Sequence, residues 1–199
     1  MVWSLKSELT RKAVHILAIA FILIFSLISQ NFGEKIALLG LVFLLILFLE
    51  LEFVRIELRR EIPILKYLYR HKEKNRVAGN IFFLIGSIIA LAVFDINIAI
   101  AAILMTVFGD MAAALVGKKF GKIKIFKEKC LEGMLAEFFV DLIIASLLIN
   151  NIYVILAMAL IATIAETLVS KIDDNLIIPL FAGFSGQIVL LILKKLMLI

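Results

Sequence analysis

Lys35–Phe53 reads KIALLGLVFLLILFLELEF and has no charged side chain between Ile36 and Leu49. A run of this length is typical of a helix that crosses a bilayer, which needs about 20 predominantly apolar residues. Because the apolar residues are continuous rather than alternating, the run predicts a helix and not a strand of a membrane barrel. We therefore expect an integral membrane protein.

The rest of the chain has the same character. Hydrophobic residues make up 64% of its 199 positions, and the mean hydropathy is +1.14, whereas a soluble domain has about 45–50% apolar residues. The single cysteine, Cys130, excludes an intrachain disulfide. We predict an all-α, polytopic membrane helix bundle with about seven transmembrane helices, forming one domain over residues 1–199. The candidate spans are Ala13–Gln30, Lys35–Phe53, Val77–Phe94, Ile98–Val116, Met134–Ile149, Ile152–Val169 and Leu176–Leu193.

The first span is expected to remain in the mature protein, and the limits of the fifth and last spans are less certain. No small-residue cleavage site follows the apolar run after Lys12, so we interpret it as a helix and not a removed signal peptide. The fifth span is short. The last contains Pro179, which predicts a helix that is broken or that begins after the proline.

The connecting segments fall into a basic set and a set nearly free of basic residues. The basic set comprises the N-terminus, the segment Arg55–Arg76 and the lysine-rich segment after the fourth span. The positive-inside rule puts this set in the cytoplasm. We expect an integral protein of the cell membrane, if the source is prokaryotic, with the N-terminus and the active site cytoplasmic. Arg55–Arg76 further predicts a basic amphipathic stretch on an anionic leaflet.

Charged residues near the predicted cytoplasmic ends of the helices are the candidates for function, because buried charge in a membrane is costly. In SELTRKAVHIL, Glu8, Lys12 and His15 have the spacing of one helix face, with Arg11 beside them. A simple charged helix start is the alternative. At the end of the second span, Glu50 and Glu52 could bind a cation or be ordinary boundary charges.

The stretch FGDMAAALVGKKFGK sets an acid inside an apolar run of small residues. Small residues let a backbone or a ligand approach closely. A carboxylate with lysines nearby suits a metal–phosphate site, and a carboxylate–lysine pair that permits helix packing is the alternative. The spacing does not match a Walker loop. The candidate residues are Gly109, Asp110, Gly117, Gly121 and Lys122.

In KEKCLEGMLAEF the candidate residues are Lys129, Glu132 and Gly133. They lie at the start of the fifth span, where free N–H groups and the helix dipole favour phosphate. A solvated helix start is the alternative.

In AETLVSKIDDNLIIP an acid lies deep in the sixth span, and three side chains with acceptor oxygens follow. Hard oxygen ligands suit Mg²⁺, and an acidic turn with an N-cap is the alternative. The candidate residues are Glu166, Asp173, Asp174 and Asn175.

All these groups fall on one predicted side of the membrane. Together they predict a site for a metal-bound nucleotide phosphate, beside an apolar bundle that suits a lipid substrate. A transporter is the alternative from another class, since intramembrane acids and a broken helix suit one. A transporter should carry polar residues at the midplane, whereas we interpret the middles of these spans as nearly pure hydrocarbon.

These motifs resemble those of the polyprenol kinase family, which includes dolichol kinase, phytol kinase and a CTP-dependent diacylglycerol kinase. The resemblance covers nearly the whole chain. It rests on E-x-x-R-K-x-x-H from Glu8, G-D-x-x-A-x-x-x-G-x-x-x-G-K from Gly109, K-x-x-E-G from Lys129, and E-x-L followed by D-D-N-L-x-I-P from Glu166 to Pro179. Cys130 and Met134 depart from the pattern, because the family often has a hydroxyl residue at both positions.

The resemblance implies Mg²⁺-dependent transfer of the γ-phosphate of CTP to a lipid alcohol, namely dolichol, another polyprenol or a related isoprenoid alcohol. We predict a role in catalysis for Asp110, Asp173, Asp174 and His15, with either a carboxylate or His15 accepting the proton of the lipid hydroxyl. The predicted metal ligands are Asp110, Asp173, Asp174 and Glu166. The predicted nucleotide-binding residues are Gly109, Gly117, Gly121, Lys122, Lys129, Glu132, Gly133, Asn175, Arg11 and Lys12.

The middle motifs also resemble those of CDP-diacylglycerol and CDP-archaeol synthases, which use CTP on a lipid phosphate. That family ends in a histidine-containing signature, and this chain has no histidine after His71, so the ending favours the kinase. The expected partners are the lipid alcohol, the nucleoside triphosphate and the membrane, with no nucleic acid. An oligomer is compatible with the sequence.

Overall fold

The computed structural model describes the backbone of residues 5–59, 76–127, 129–169 and 171–196, with side chains from residue 19 onward. This part of the chain contains seven α-helices and a two-stranded hairpin. In order they are α1 Leu5–Phe32, α2 Glu34–Ile56, α3 Gly79–Val93, α4 Ile96–Phe120, β1 Lys124–Phe126, β2 Lys129–Cys130, α5 Leu131–Leu148, α6 Ile152–Leu168 and α7 Asp174–Lys195. The predicted all-α helical architecture is confirmed, and each candidate span coincides with one helix.

Several predictions lie outside the described residues. Most of the predicted amphipathic segment between Arg55 and Arg76 is among them. The backbone of α1 includes the first charged group, but the side chains of Glu8, Arg11, Lys12 and His15 also lie outside what is described.

The distribution of side chains is that of a protein in lipid. Large apolar residues lie on the outside: Leu39 is 67% exposed and Leu147 is 78% exposed. Polar residues such as Thr106 and Thr163 are buried. Within the described residues, α2, α4 and α7 are long and apolar enough to cross a membrane. The shorter apolar helices are α3, α6 and Ile19–Phe32, the part of α1 whose side chains are described. The chain is therefore an integral membrane protein.

The chain divides into two compact units, Met1–Ile88 and Ile89–Ile199. In the first unit, the buried Glu52 at the end of α2 accepts hydrogen bonds from Arg55 Nε at 2.8 Å and from the backbone N–H of Ala78 at 2.7 Å. Glu52 thus fastens the end of α2 to the residues before α3, which is a structural role rather than the cation site considered above. The single domain of the sequence analysis stays a prediction.

The second unit contains α4 to α7, and α4 packs against both α5 and α7. Its last helix is neither broken nor delayed by Pro179, so that prediction is wrong. The side chain of Asp173 caps the helix by accepting the N–H of Asn175 at 3.1 Å, and α7 continues through the proline. Because proline has no backbone N–H, Pro179 cannot donate the i−4 hydrogen bond to the carbonyl group of Asn175, and this single loss falls near the start of the helix.

The contact between α4 and α5 depends on glycine. A Cβ placed on Gly133 would stand 2.8 Å from the carbonyl oxygen of Ala113 and 3.3 Å from the Cα of Gly117. Both neighbours are backbone atoms, so neither can move without shifting a helix. The absence of side chains is therefore what lets the two helices approach closely.

We expect Gly133→Ala to destabilise the protein by about 1–3 kcal/mol, the usual effect of overpacking a close contact. The thermal unfolding midpoint of the purified protein in detergent checks this. Gly40→Ala in α2 is the matched control, because a Cβ there has no atom within 4 Å. An equal midpoint for the two variants would contradict the proposed close contact at Gly133.

Candidate active site

Lys129 is the centre of the charged cluster in the second unit. It lies in β2, the short strand that leads directly into α5. Its Nζ donates to Glu166 Oε1 at 2.7 Å and lies 3.7 Å from Asp174 Oδ2. Three segments that are distant in sequence thus meet at one ammonium group: the hairpin, the end of α6 and the start of α7.

The charge on Lys129 is stabilised by its surroundings. Burial by itself would lower the pKa of the lysine, but the charge and hydrogen bond of Glu166, together with the charges of Asp174 and Asp110, raise it above its ordinary value. Lys129 therefore stays protonated at neutral pH. Its side chain is still 35% exposed, and an ammonium group has three donors, so it can bind a further anion.

Four of the predicted site residues are therefore brought together: Lys129, Glu166, Asp174 and Asp110, which is half-buried in α4 and acts electrostatically on the lysine. Glu166 is buried, and its Oε1 is bonded to Lys129. The immediate partner of Glu166 is thus a cation of the protein itself, which the sequence analysis did not foresee.

Asp173 and Asn175 have a local structural role in addition to any role in binding. The Asp173 carboxylate accepts both the backbone N–H of Asn175 at 3.1 Å and its side-chain Nδ2–H at 2.8 Å. The alternative interpretation of this stretch, an acidic turn with an N-cap, describes Asp173 correctly. It does not describe Asp174, whose carboxylate faces Lys129.

Glu132 holds the loop between α4 and the hairpin. Its Oε1 accepts the backbone N–H groups of Lys122 at 3.0 Å and Ile123 at 3.3 Å. β1 and β2 then pair antiparallel, with Lys124 opposite Cys130. The sequence analysis interpreted this region only as a lysine-rich loop, so the hairpin is a feature that it missed.

The predicted glycines surround the thiol of Cys130. A Cβ on Gly117 would lie 3.1 Å from its Sγ, and one on Gly121 would lie 2.7 Å from it. The space that a side chain would need at each of these glycines is thus occupied by other protein atoms. This supports a role for Gly117 and Gly121 in close packing of the backbone. Their assignment to nucleotide binding stays a prediction, as does that of Gly109 and Lys122.

Two buried acids of α5 were missed. Glu137 and Asp141 are 1% and 0% exposed, and they follow Gly133 at four-residue intervals along one helix face. The prediction that the middles of the spans are nearly pure hydrocarbon is therefore wrong for α5. The signal was present in the sequence, because two acids one turn apart in an apolar run are unusual in a membrane helix.

The carboxylates of the cluster have the chemistry for Mg²⁺, which prefers oxygen ligands. The described residues contain no group of three or more His, Cys, Asp or Glu side chains already gathered to hold a metal ion. Mg²⁺ often needs no such group, since it is commonly bound by one or two carboxylates, water and substrate phosphates. Asp110 and Asp174 fit that arrangement.

The fold and the site define a polytopic membrane protein with a partly buried charged cluster at Lys129, which can bind a further anion. The chain is 32% identical to CTP-dependent diacylglycerol kinase 1 of Schizosaccharomyces pombe over an alignment that covers 91% of this chain and 93% of the relative. It belongs to this kinase family.

Two further relatives are more partial. The identity to CTP-dependent diacylglycerol kinase 1 of Saccharomyces cerevisiae is 28%, over 69% of this chain and 49% of that protein. An uncharacterized protein of Methanocaldococcus jannaschii is 35% identical over 63% of this chain and 68% of its own length. No protein-family model matches the chain, and no solved structure matches it significantly.

Proposed function

We propose that this protein transfers the γ-phosphate of CTP to the hydroxyl group of a membrane lipid. The observation that carries the proposal is the similarity to a CTP-dependent diacylglycerol kinase over nearly the full length of both chains. The charged cluster at Lys129, within a helix bundle whose buried residues are mainly apolar, supports it independently.

The cluster suits the chemistry because phosphoryl transfer depends mainly on positioning and on neutralising charge. Lys129 would bind a phosphate oxygen with the donors that Glu166 does not use. Asp110 and Asp174 would hold Mg²⁺, which would neutralise charge on the triphosphate. The hairpin and Glu132 would fix the position of Lys129, because β2 carries the lysine directly before α5.

The acceptor that we favour is a diradylglycerol, since the relatives with an assigned activity are named diacylglycerol kinases. A polyprenol such as dolichol is the second acceptor, supported by the motifs that resemble polyprenol kinases. Both are lipid alcohols whose apolar chains suit the exposed apolar faces of the bundle. Synthesis of a CDP-lipid is the alternative reaction, and transport is the alternative from another class.

The experiment uses the purified protein in detergent with Mg²⁺ and CTP or ATP labelled at the γ-phosphate. The acceptors are a diacylglycerol, an ether-linked diradylglycerol, dolichol and phytol. Phosphatidic acid with α-labelled CTP tests the alternative reaction. Label from γ-labelled CTP on one class of alcohol supports the proposal and identifies the acceptor.

Label only from α-labelled CTP on phosphatidic acid would overturn the kinase proposal in favour of a cytidylyltransferase. Label from ATP but not from CTP would overturn the assignment of the donor. The orientation is a further proposal: we infer that the cluster faces the cytoplasm, where CTP is available. Labelling of introduced cysteines in intact cells, at Lys127 and at Asn151, tests that orientation.

A further inference from the structure

Glu137 and Asp141 have no role in the proposed transfer, yet they are among the most deeply buried charged residues in the described part of the chain. They lie one helical turn apart on α5, on the face that also carries Gly133. Ionisable residues inside a membrane bundle are costly and face the interior or a partner. Their presence therefore calls for a group that neutralises them.

The protein does not supply that group from the residues described. Both carboxylate oxygens of Asp141 and the Oε1 of Glu137 are buried without a hydrogen-bond partner in this part of the chain. Glu137 forms a side-chain hydrogen bond with Glu166, which is itself an acid and already bonded to Lys129. The charges of Asp141 and Lys129 also act on Glu137, although neither residue is bonded to it. Ionised, the two α5 carboxylates would carry a charge of −2 with no ammonium or guanidinium group bonded to either.

The two side chains pack against α4 at Gly109, Asp141 through its carboxylate and Glu137 through its Cγ methylene group. We call this position the Gly109 notch. The point where a Cβ of residue 109 would stand is 2.5 Å from Asp141 Oδ1 and 3.3 Å from Glu137 Cγ. Because Gly109 has no side chain, both acids fit against the α4 backbone there. The notch is thus formed by two helices that pack against each other within one compact unit.

From this geometry we propose that Glu137 and Asp141 bind a divalent cation at the Gly109 notch, beside the cluster at Lys129, to which Glu137 is connected through Glu166. A divalent ion neutralises two carboxylates completely, and hard oxygen ligands suit Mg²⁺. The described residues contain no group of three or more His, Cys, Asp or Glu side chains that could hold a metal ion. The ion would therefore be bound by these two carboxylates, with water completing its coordination. The site holds the ion without nucleotide and does not depend on the proposed function.

The test measures binding of Mn²⁺, a spectroscopic substitute for Mg²⁺, by electron paramagnetic resonance on the purified, nucleotide-free protein. We expect about one bound Mn²⁺ per chain, displaced by excess Mg²⁺. Asp141→Asn keeps the size and polarity of the side chain but removes its charge, and it should weaken Mn²⁺ binding at least tenfold. Asp95→Asn is the matched control, because Asp95 is exposed and pairs with Lys194, and it should bind Mn²⁺ normally.

Gly109→Ala is a second variant for the Mn²⁺ binding test, and it leaves the charge of the protein unchanged. The added methyl group would occupy the position next to Asp141 Oδ1, so it should also weaken Mn²⁺ binding. Size-exclusion chromatography confirms that each variant is folded. The proposal is overturned if the protein binds no Mn²⁺, which would mean that the two acids are neutral and protonated. It is also overturned if Asp110→Asn, rather than Asp141→Asn, removes the ion, whatever the result of the kinase assay.

Discussion

Asp110→Asn is expected to reduce lipid phosphorylation by about a thousandfold or more while leaving the protein folded. A carboxylate that holds a metal ion contributes through that ion several kcal/mol of transition-state stabilisation, and each 1.36 kcal/mol is a factor of ten in rate. Asparagine has the same shape but carries no charge. The rate of label transfer from γ-labelled CTP at saturating Mg²⁺ is the measurement.

The structural reason for choosing Asp110 is its place in the electrostatics of the cluster. It lies half-buried on α4, one residue after the Gly109 notch, and its charge acts on Lys129. Asp95→Asn is the matched control. Asp95 forms an exposed ion pair with Lys194, so this variant should keep full activity. An Asp110→Asn protein that phosphorylates lipid at the wild-type rate would remove Asp110 from the metal site.

The helices could be predicted from the sequence because each is an apolar run bounded by polar residues, and lipid imposes that pattern directly. The predicted ends of the helices were less accurate where a helix includes charged residues. α4 continues from Val116 through Lys118 and Lys119 to Phe120, because lysines in the last turn interact favourably with the helix dipole. The hairpin was missed since its pairing depends on contacts between residues of a loop.

The candidate site could be predicted only as a set of residue types. Lys129 and Glu166 were both singled out, but they are 37 residues apart, and no local pattern says that one pairs with the other. Glu166 was assigned to metal on its chemistry, whereas its nearest partner is an ammonium group. Glu137 and Asp141 are the opposite case, because their spacing was visible and only their significance was overlooked.

The pair of Lys129 and Glu166 allows stability and activity to be separated. Lys129→Met should lower the free energy of unfolding by about 3 kcal/mol, the lower end of the usual effect of removing one partner of a buried ion pair. The reason is that the buried carboxylate of Glu166 would lose the cation to which it is bonded. Thermal unfolding in detergent measures the effect.

The double variant Lys129→Met with Glu166→Gln should recover most of that stability, because the buried carboxylate is removed together with its cation. Asp174 also loses its ion pair with Lys129, but its side chain is 39% exposed, so that loss should be small. It should not recover activity, because the ammonium group that binds phosphate is still absent. Lys194→Met is the matched control: its pair with Asp95 is exposed on both sides, and such pairs contribute less than about 1 kcal/mol.

The contrast between the two measurements decides the role of Lys129. If the double variant regained both stability and lipid phosphorylation, the lysine would be only a structural counter-ion for Glu166, and the phosphate would have to be bound elsewhere. If it regains stability alone, the same ammonium group balances a buried acid in the resting protein and binds the nucleotide during the reaction. We expect the second result, because Lys129 is the partly exposed member of the pair and Glu166 the buried one.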